Sequence, residues 1–279
     1  MIQNIYLNRH GHVNLPVNAQ GERLVHKVDV TLNDQGIQSS SSMHFLTDTY
    51  YSDFKQYFSG TLPRVIDSAI VHRLRSHESA FPQNQVEELQ YLGEKFKVLL
   101  KQNNQGETPK EIDSEIVDLR RTLCDRLDIN LDTRLNEISN PGAMFAGTLK
   151  QKWEELHLHE KPPKEGIEKT MDFLKYIINA SGEIQSDSTT LISSYVFSHR
   201  NNILVALFLL ENWGNSDATF PTLLELKKTY PLERSDAWKI MIDKRENILE
   251  MKRISFVEGS STLRINRNLE PRTPNKERF

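Results

Sequence analysis

The chain of 279 residues has a formal net charge of −3 at pH 7, with 26% charged and 37% hydrophobic residues, a composition typical of a soluble globular protein. This balance argues against a general nucleic-acid-binding protein, which would carry a basic face. Cys124 is the one cysteine, which excludes an intramolecular disulfide, and the longest apolar run, residues 203–210, is far shorter than the roughly 20 residues that cross a bilayer. Because the N-terminal residues lack the pattern of a secretory signal, we expect a cytoplasmic protein that binds neither nucleic acid nor membranes.

The first predicted element is a buried strand. Residues 2–7 are mostly apolar, with β-branched and aromatic members, and they lead into a polar turn at residues 9–11, Arg-His-Gly. Residues 31–36 then predict the start of a helix, for which Thr31 or Asn33 could serve as the N-cap.

The middle of the chain predicts one more strand and a pair of helices. Residues 64–71 (RVIDSAIV) read as a second strand that leads into the basic segment containing Arg75. Apolar residues then recur at steps of three and four within 86–99 and within 116–127, and a polar loop at 103–109 separates the two runs. This pattern predicts a helical hairpin inserted into a larger domain.

The last third predicts a strand, a buried helix and a hairpin. Residues 190–197 read as a third strand that ends next to His199, and the apolar run at 203–210 reads as a helix buried on most sides. Residues 254–265 read as a β-hairpin, and the chain becomes polar after Asn266. Strands interleaved with helices favour an α/β domain with a largely parallel sheet.

Three predicted strands lead to cationic or imidazole side chains, which are Arg9 with His10, then Arg75, then His199. Ligands bind at the carboxyl ends of strands in parallel sheets, so these side chains are expected to meet. Taken singly, each has a structural explanation as a hydrogen-bonded histidine or a salt-bridged arginine. Together in a desolvated site they would repel one another unless an anion with several oxygens were bound, and the planar guanidinium suits a phosphoryl group.

Five segments carry motifs that follow one another along the chain: IYLNRHG at residues 5–11, DVTLNDQG at 29–36, LRSHESA at 74–80, RLNE at 134–137 followed by Gly142 and Gly147, and FSH at 197–199. In this order they resemble the motifs of the histidine phosphatase superfamily. The resemblance implies a phosphoglycerate-mutase-like fold, a three-layer α/β/α sandwich with a mostly parallel central sheet. It implies one domain at residues 1–268, with a helical insertion at about 82–126 and a polar tail at 269–279.

The resemblance also implies a role for each motif residue. His10 would be the nucleophile that forms a phosphohistidine. Glu137 would be the general acid and then the general base. The phosphate-binding residues would be Arg9, Arg75, His199, Arg200 and Asn201. Neither a metal nor another cofactor is implied, because two arginines supply the countercharge.

Two of the departures from the family's pattern bear most on function. Arg200 stands where the family usually has a glycine whose backbone approaches the phosphate, and it would either add a cationic contact or move the loop. Pro16 stands where the family's mutases have an asparagine. The insertion at 82–126 is expected to be a lid or a helical pair packed on the outside. Within it, Arg120 and Arg121 would reach a substrate anion or lie on a solvated helix face.

Three functions follow from these features. The first is a phosphomonoesterase that acts on a phosphorylated small molecule or a phosphoprotein. The second is a phosphoglycerate mutase-like isomerase, which the Arg-Leu-Asn-Glu motif favours and which Pro16, Arg200 and the long insertion disfavour. The third is a catalytically degenerate phosphoanion-binding or scaffold protein.

Overall fold

A computed structural model describes residues 2–15, 30–47, 52–75, 83–103, 114–136, 167–183, 190–213, 215, 217–243 and 247–255. Within these ranges six strands form one sheet: β1 (Ile2–Arg9), β2 (Phe54–Ser59), β3 (Ile129–Leu131), β4 (Leu191–Ser198), β5 (Ala237–Asp243) and β6 (Ile248–Ile254). Their order across the sheet is β3-β2-β4-β1-β5-β6. The first four of that order run parallel, and β5 and β6 are added antiparallel to their neighbours. The predicted α/β class with a largely parallel sheet is confirmed.

Seven α-helices flank the sheet within the described ranges: α1 (Asp34–Thr47), α2 (Pro63–Arg73), α3 (Gln83–Asn103), α4 (Ser114–Arg126), α5 (Ile167–Glu183), α6 (Arg200–Glu211) and α7 (Leu223–Thr229). Side chains alternate across the central strands, so that Ile5 and Leu7 belong to one apolar core and Tyr6 to the other. The first core contains residues of α5, α6 and α7, and the second contains residues of α1 to α4. The sheet therefore lies between two helical layers, as the resemblance implied. No helix in the described part of the chain is long and apolar enough to span a membrane.

A stack of three tyrosines lies across the centre of the sheet. Tyr6 and Tyr57 each lie opposite Tyr195 in the strand register. The ring centroid of Tyr195 lies 4.9 Å from that of Tyr6 and 4.7 Å from that of Tyr57, with the planes nearly parallel. A shift by one residue would turn a tyrosine to the opposite face, so this stack favours the observed register of β1, β2 and β4.

The prediction of a strand at residues 64–71 is wrong, because this segment forms helix α2. Pro63 occupies the first turn, where its fixed φ suits a helix. Every residue from Arg64 to Arg73 is buried, so the helix has no solvent-exposed face, and its apolar residues resemble those of a buried strand. The second strand is instead β2, whose Lys55 and Gln56 interrupt any apolar run.

The other predicted elements have mixed outcomes. The strands at 2–7 and 190–197, the helix at 203–210 and the two inserted helices are confirmed. The hairpin at 254–265 is corrected within the described ranges, because Ile254 ends β6, which pairs with β5. Several predicted features lie outside the described residues: the loop at 104–109, the segment at 76–80, Pro16, the end of the hairpin at 256–265, and the tail at 269–279.

The inserted helices α3 and α4 form an antiparallel pair. The ion pair between Lys95 and Glu115 measures 2.6 Å, and that between Arg126 and Glu88 measures 3.3 Å. Phe96 of α3 is fully buried in the same core as helix α2. The ion pairs join the two helices to each other, and Phe96 packs the described part of the insertion against the domain. A role of the insertion as a lid stays a prediction.

Arg120 of α4 does not lie on a solvated helix face, so that sequence-based alternative is wrong for it. It is buried, and its Nε donates to Oδ1 of Asp67 in α2 at 2.8 Å. Burial raises the pKa of the fully buried Asp67 carboxyl, and the Arg120 charge opposes that effect. Arg121, the next residue, is exposed. The pair therefore joins the insertion to helix α2.

The buried pair predicts a large and specific loss of stability. Arg120→Met leaves the Asp67 carboxylate buried without its countercharge, so we expect the free energy of unfolding to fall by about 3 kcal/mol. Arg121→Met is the matched control on the exposed side of the same helix, with a change of about 0.5 kcal/mol or less. Urea denaturation monitored by circular dichroism measures both. Equal midpoints for the two variants would show that the pair contributes nothing.

Candidate active site

The two predicted histidines lie side by side at the carboxyl ends of neighbouring strands. Arg9 at the end of β1 lies opposite Ser198 at the end of β4. His10 and His199 follow these residues, and the backbone N–H of His10 donates to the Ser198 carbonyl at 3.2 Å. Their ring centroids are 5.2 Å apart, and the side chains are 7% and 1% exposed. The predicted convergence of His10 with His199 is therefore present.

The hydrogen bond of His10 fixes its tautomer. Nδ1 lies 2.9 Å from the carbonyl oxygen of Gly11, and a carbonyl only accepts, so Nδ1 carries the proton and Nε2 keeps a lone pair. Burial, and then the charges of His199, Arg64 and Arg9, hold the pKa of His10 well below its usual value. His10 is consequently a neutral imidazole at neutral pH, which is the form that acts as a nucleophile.

The turn after His10 packs tightly against helices α1 and α2. A Cβ on Gly11 would lie 2.8 Å from the Gly36 carbonyl oxygen, and one on Gly36 would lie 2.2 Å from the His12 carbonyl oxygen. The N–H of Gly11 donates to Oγ of Ser68 at 3.0 Å. Asn33 caps α1, as predicted, by accepting from the N–H of Gly36 at 2.9 Å. These contacts hold the turn that carries His10 and require glycine at both close approaches.

Arg64, and not the predicted Arg75, is the arginine of α2 whose charge acts on the histidine pair. Arg64 is buried in the first turn of α2, and its charge lowers the pKa of both His10 and His199. Arg75 is eleven residues further along, beyond the other end of this helix, and that separation corresponds to roughly 16 Å at helical rise. Its Nε donates to Oγ of Ser41 at 2.8 Å. The structure thus brings Arg64, and not Arg75, to the histidine pair.

A sequence signal for Arg64 existed. The family pattern Leu-x-Arg-Ala-x-x-Thr-Ala places arginine two residues after leucine. Residues 62–69 (LPRVIDSA) keep that spacing with Leu62, Arg64 and Ala69, and Ser68 stands at the threonine position. Arg75 directly follows a leucine and does not fit it. The prediction of a strand at 64–71 placed Arg64 inside a strand and so favoured the poorer match at Arg75.

Arg9 and Arg200 are close enough to interact electrostatically. Burial, and then the charges of Arg200 and Arg234, lower the pKa of Arg9 to about 10. Nη1 of Arg9 donates to the Leu232 carbonyl oxygen at 3.0 Å. Arg200 is the first residue of α6 and Asn201 is the second, so both lie directly after His199.

The helical backbone explains why Arg200 can replace glycine. Among the described non-glycine residues, positive φ angles occur at Asp128 and Ser235, so the backbone of Arg200 is not in the left-handed region. A glycine is therefore not required there by conformation. The N–H groups in the first turn of α6 also favour an anion whatever side chain follows His199.

Glu137, Gly142 and Gly147 of the predicted acid motif lie outside the described residues. The residue before Glu137 is firmly held: Oδ1 of Asn136 accepts from the N–H of Thr61 at 2.7 Å, and its Nδ2 donates to Oγ1 of Thr61 at 2.8 Å. Nδ2 of Asn202 donates to the Asn136 carbonyl oxygen at 2.8 Å. Asn136 is therefore fixed between the first turn of α6 and the residues that precede α2, which places it between the two helices that carry Arg200 and Arg64.

Arg134 of the same motif has a structural role. It forms ion pairs with Asp132 and Asp172, and its guanidinium carbon lies 5.0 Å from the ring centroid of Tyr176. These contacts attach the segment to helix α5. Elsewhere in the described part of the chain, His, Cys, Asp and Glu side chains do not form a group of three or more that could bind a metal.

The buried neutral histidines predict a pH-dependent stability. Burial and the charges of Arg64 and Arg9 lower the pKa of His199 to about 3, whereas the unfolded value is about 6.5. Below that unfolded value only the unfolded chain takes up the proton, so stability is lost as the pH falls from about 6.5 towards the folded pKa. His199→Gln removes this effect. Between pH 7 and 5 we expect the wild type to lose on the order of 2 kcal/mol more than the variant, measured by urea unfolding at each pH. Parallel stability curves for the two proteins would contradict a buried, neutral His199.

Comparison with known proteins yields structural but not sequence matches, because no protein-family model and no curated protein matches the chain significantly. Mycobacterial hydrolase 1 is 11% identical, covers 89% of this chain and 95% of its own, and has a TM-score of 0.46. A mycobacterial glucosyl-3-phosphoglycerate phosphatase is 11% identical over 86% of this chain and 91% of its own, with a TM-score of 0.44. A phosphoserine phosphatase from Entamoeba histolytica is 12% identical over 85% of this chain and 90% of its own, with a TM-score of 0.39. At such identities and TM-scores, the likeness carries no argument about activity.

Proposed function

We propose that the chain is a metal-independent phosphomonoesterase that acts through a phosphohistidine at His10, with Glu137 as its general acid and base. The observation that carries this proposal is the buried pair of His10 and His199, held side by side and neutral, with the charge of Arg64 acting on both. A neutral nucleophile in a cationic, buried site is suited to attack on a phosphate ester.

In the first step, Nε2 of His10 attacks phosphorus in line with the leaving oxygen. The N–P bond forms as the P–O bond breaks, and Glu137 gives its proton to the leaving alkoxide. In the second step a water oxygen attacks phosphorus and forms a P–O bond as the N–P bond to His10 breaks, and Glu137 takes a proton from that water. The products are an alcohol and inorganic phosphate, and His10 returns to its neutral form.

The charge that builds on the phosphoryl oxygens needs several partners. Arg64 and Arg9 would supply guanidinium hydrogen bonds, and His199 would gain a proton as the dianion binds, since a nearby negative charge raises a histidine pKa. Arg64 takes the role that the sequence interpretation gave to Arg75. Because two arginines supply the countercharge, activity is expected to survive chelation of divalent metals.

Arg200 and Asn201 complete the proposed anion-binding set. They begin α6, whose N-cap residue is His199. The N-terminus of a helix directs its free backbone N–H groups and the positive end of its dipole towards the N-cap, which here is the side of His199. The substrate is proposed to be a phosphorylated small molecule or a phosphoprotein in the cytoplasm. A mutase would use the same phosphohistidine and return the phosphoryl group to the substrate.

Turnover and trapping of the intermediate test the proposal together. We expect the wild type, treated with a metal chelator, to release phosphate from p-nitrophenyl phosphate and to carry label on His10 after an acid-free quench. His10→Ala should lose activity by at least about a thousandfold while its circular dichroism spectrum is unchanged, because removing a nucleophile costs that much or more. Label on another residue, or normal turnover by His10→Ala, would disprove the mechanism. Transfer of label to a second substrate, without release of phosphate, would identify a mutase.

Glu137→Gln separates the acid from the nucleophile in the same assay. We expect a loss on the order of 100-fold with alkyl phosphates, whose leaving groups need a proton, and a much smaller loss with p-nitrophenyl phosphate. Equal losses on both substrates would assign the acid to another residue.

A further inference from the structure

A second group of arginines lies next to Arg9, where the loop before β5 meets the turn that follows β1. The N–H of Arg9 donates to the Asp236 carbonyl oxygen at 2.9 Å, and the N–H of Ser235 donates to the His10 carbonyl oxygen at 3.3 Å. Between these contacts, Nη1 of Arg234 reaches the Val13 carbonyl oxygen at 3.5 Å. Arg234 is therefore held against the same turn that carries His10.

Among the described residues of this group, the guanidinium groups of Arg9, Arg200 and Arg234 outnumber the two carboxyl groups that act on Arg9. The positive neighbours that act on Arg9 are Arg200 and Arg234, and the negative ones are Glu233 and Asp236. The Asp236 carboxylate is already engaged, because it accepts from Nε of Arg253 at 3.0 Å and from the N–H of Glu233 at 2.7 Å. Its charge is thus shared with a further arginine, and it does not neutralise the group.

Two of these arginines have donors available for a ligand. Within the described part of the chain, the Nε atoms of Arg9 and Arg200 are buried and have no hydrogen-bond partner. A buried donor without a partner destabilises the empty site, more so for a charged group, and like charges nearby add to that cost. An anion that accepts from these donors would remove both costs.

One phosphoryl group does not account for all of these cations. Arg64, His199 and Arg9 suffice for the oxygens of a phosphoryl group at His10, which leaves Arg200 and Arg234. We propose that Arg200 and Arg234 bind a second anionic group, so that the substrate is a phosphomonoester that also carries a carboxylate or a second phosphate. This inference rests on the proposed function for the first phosphoryl position. Sequence reasoning missed Arg234 because the strand that it precedes, β5, was not predicted.

Binding measured without turnover tests the second-anion site separately from catalysis. In the His10→Ala protein, calorimetry compares 2-phosphoglycolate, which carries a carboxylate, with ethyl phosphate, which does not. We expect 2-phosphoglycolate to bind at least about tenfold more tightly, the scale of one charge-assisted hydrogen bond. Arg234→Gln and Arg200→Gln, each in that background, should reduce this ratio of affinities by about tenfold. Arg121→Gln, at an exposed arginine of α4, is the control in which the ratio should stay constant.

Equal affinity of the His10→Ala protein for the two ligands, including failure to bind either, would overturn the proposal. The proposal is equally wrong if Arg234→Gln and Arg200→Gln weaken both ligands by the same factor, because the two arginines would then act on the first phosphoryl position. Absence of phosphatase activity in the wild type, combined with the expected ratio here, would refute the proposed reaction and leave the second-anion site standing.

Discussion

The parallel pairing of β1 with β4 is the constraint on which the site depends. It sets Arg9 opposite Ser198, so the residues that follow these strands, His10 and His199, emerge next to each other. A slip of one residue would separate the two imidazoles and turn the side chains of the strand to the wrong faces. The stack of tyrosines across β1, β4 and β2 opposes such a slip from within the core. The geometry of the site is thus a consequence of sheet register, fixed by side chains that take no part in chemistry.

Burial and positive charge then determine the chemical state of the pair. Both imidazoles are driven to the neutral form, because a protonated ring would be desolvated and would face Arg64 and Arg9. The same cations favour a phosphate dianion, so the field that keeps His10 neutral also attracts the group that it would attack. Helix α2 connects the charged groups of the site to the rest of the fold. Its Arg64 acts on the histidines, its Ser68 holds the N–H of Gly11, and its Asp67 is anchored to the inserted helices.

The strand ends at His10 and His199 could be predicted from sequence because both strands are apolar runs that stop at a polar turn. Arg64 could not be placed in the same way, since α2 is buried on every side and its apolar residues resemble those of a buried strand. Strand β2 was missed for the opposite reason, because Lys55 and Gln56 make a central strand look polar. The partner of Arg120 is set by tertiary packing, which no local pattern encodes. Glu137 lies outside the described residues and stays a prediction from the motif.

The central claim is that the anion site is assembled from the two strand ends and the first turn of α2. The most direct test is calorimetric binding of inorganic phosphate to Arg64→Ala and Arg75→Ala. The site predicts that Arg64→Ala weakens binding by at least about tenfold, the loss of a charge-assisted hydrogen bond, and that Arg75→Ala stays within about twofold of the wild type. Loss of binding in Arg75→Ala with full binding in Arg64→Ala would contradict it.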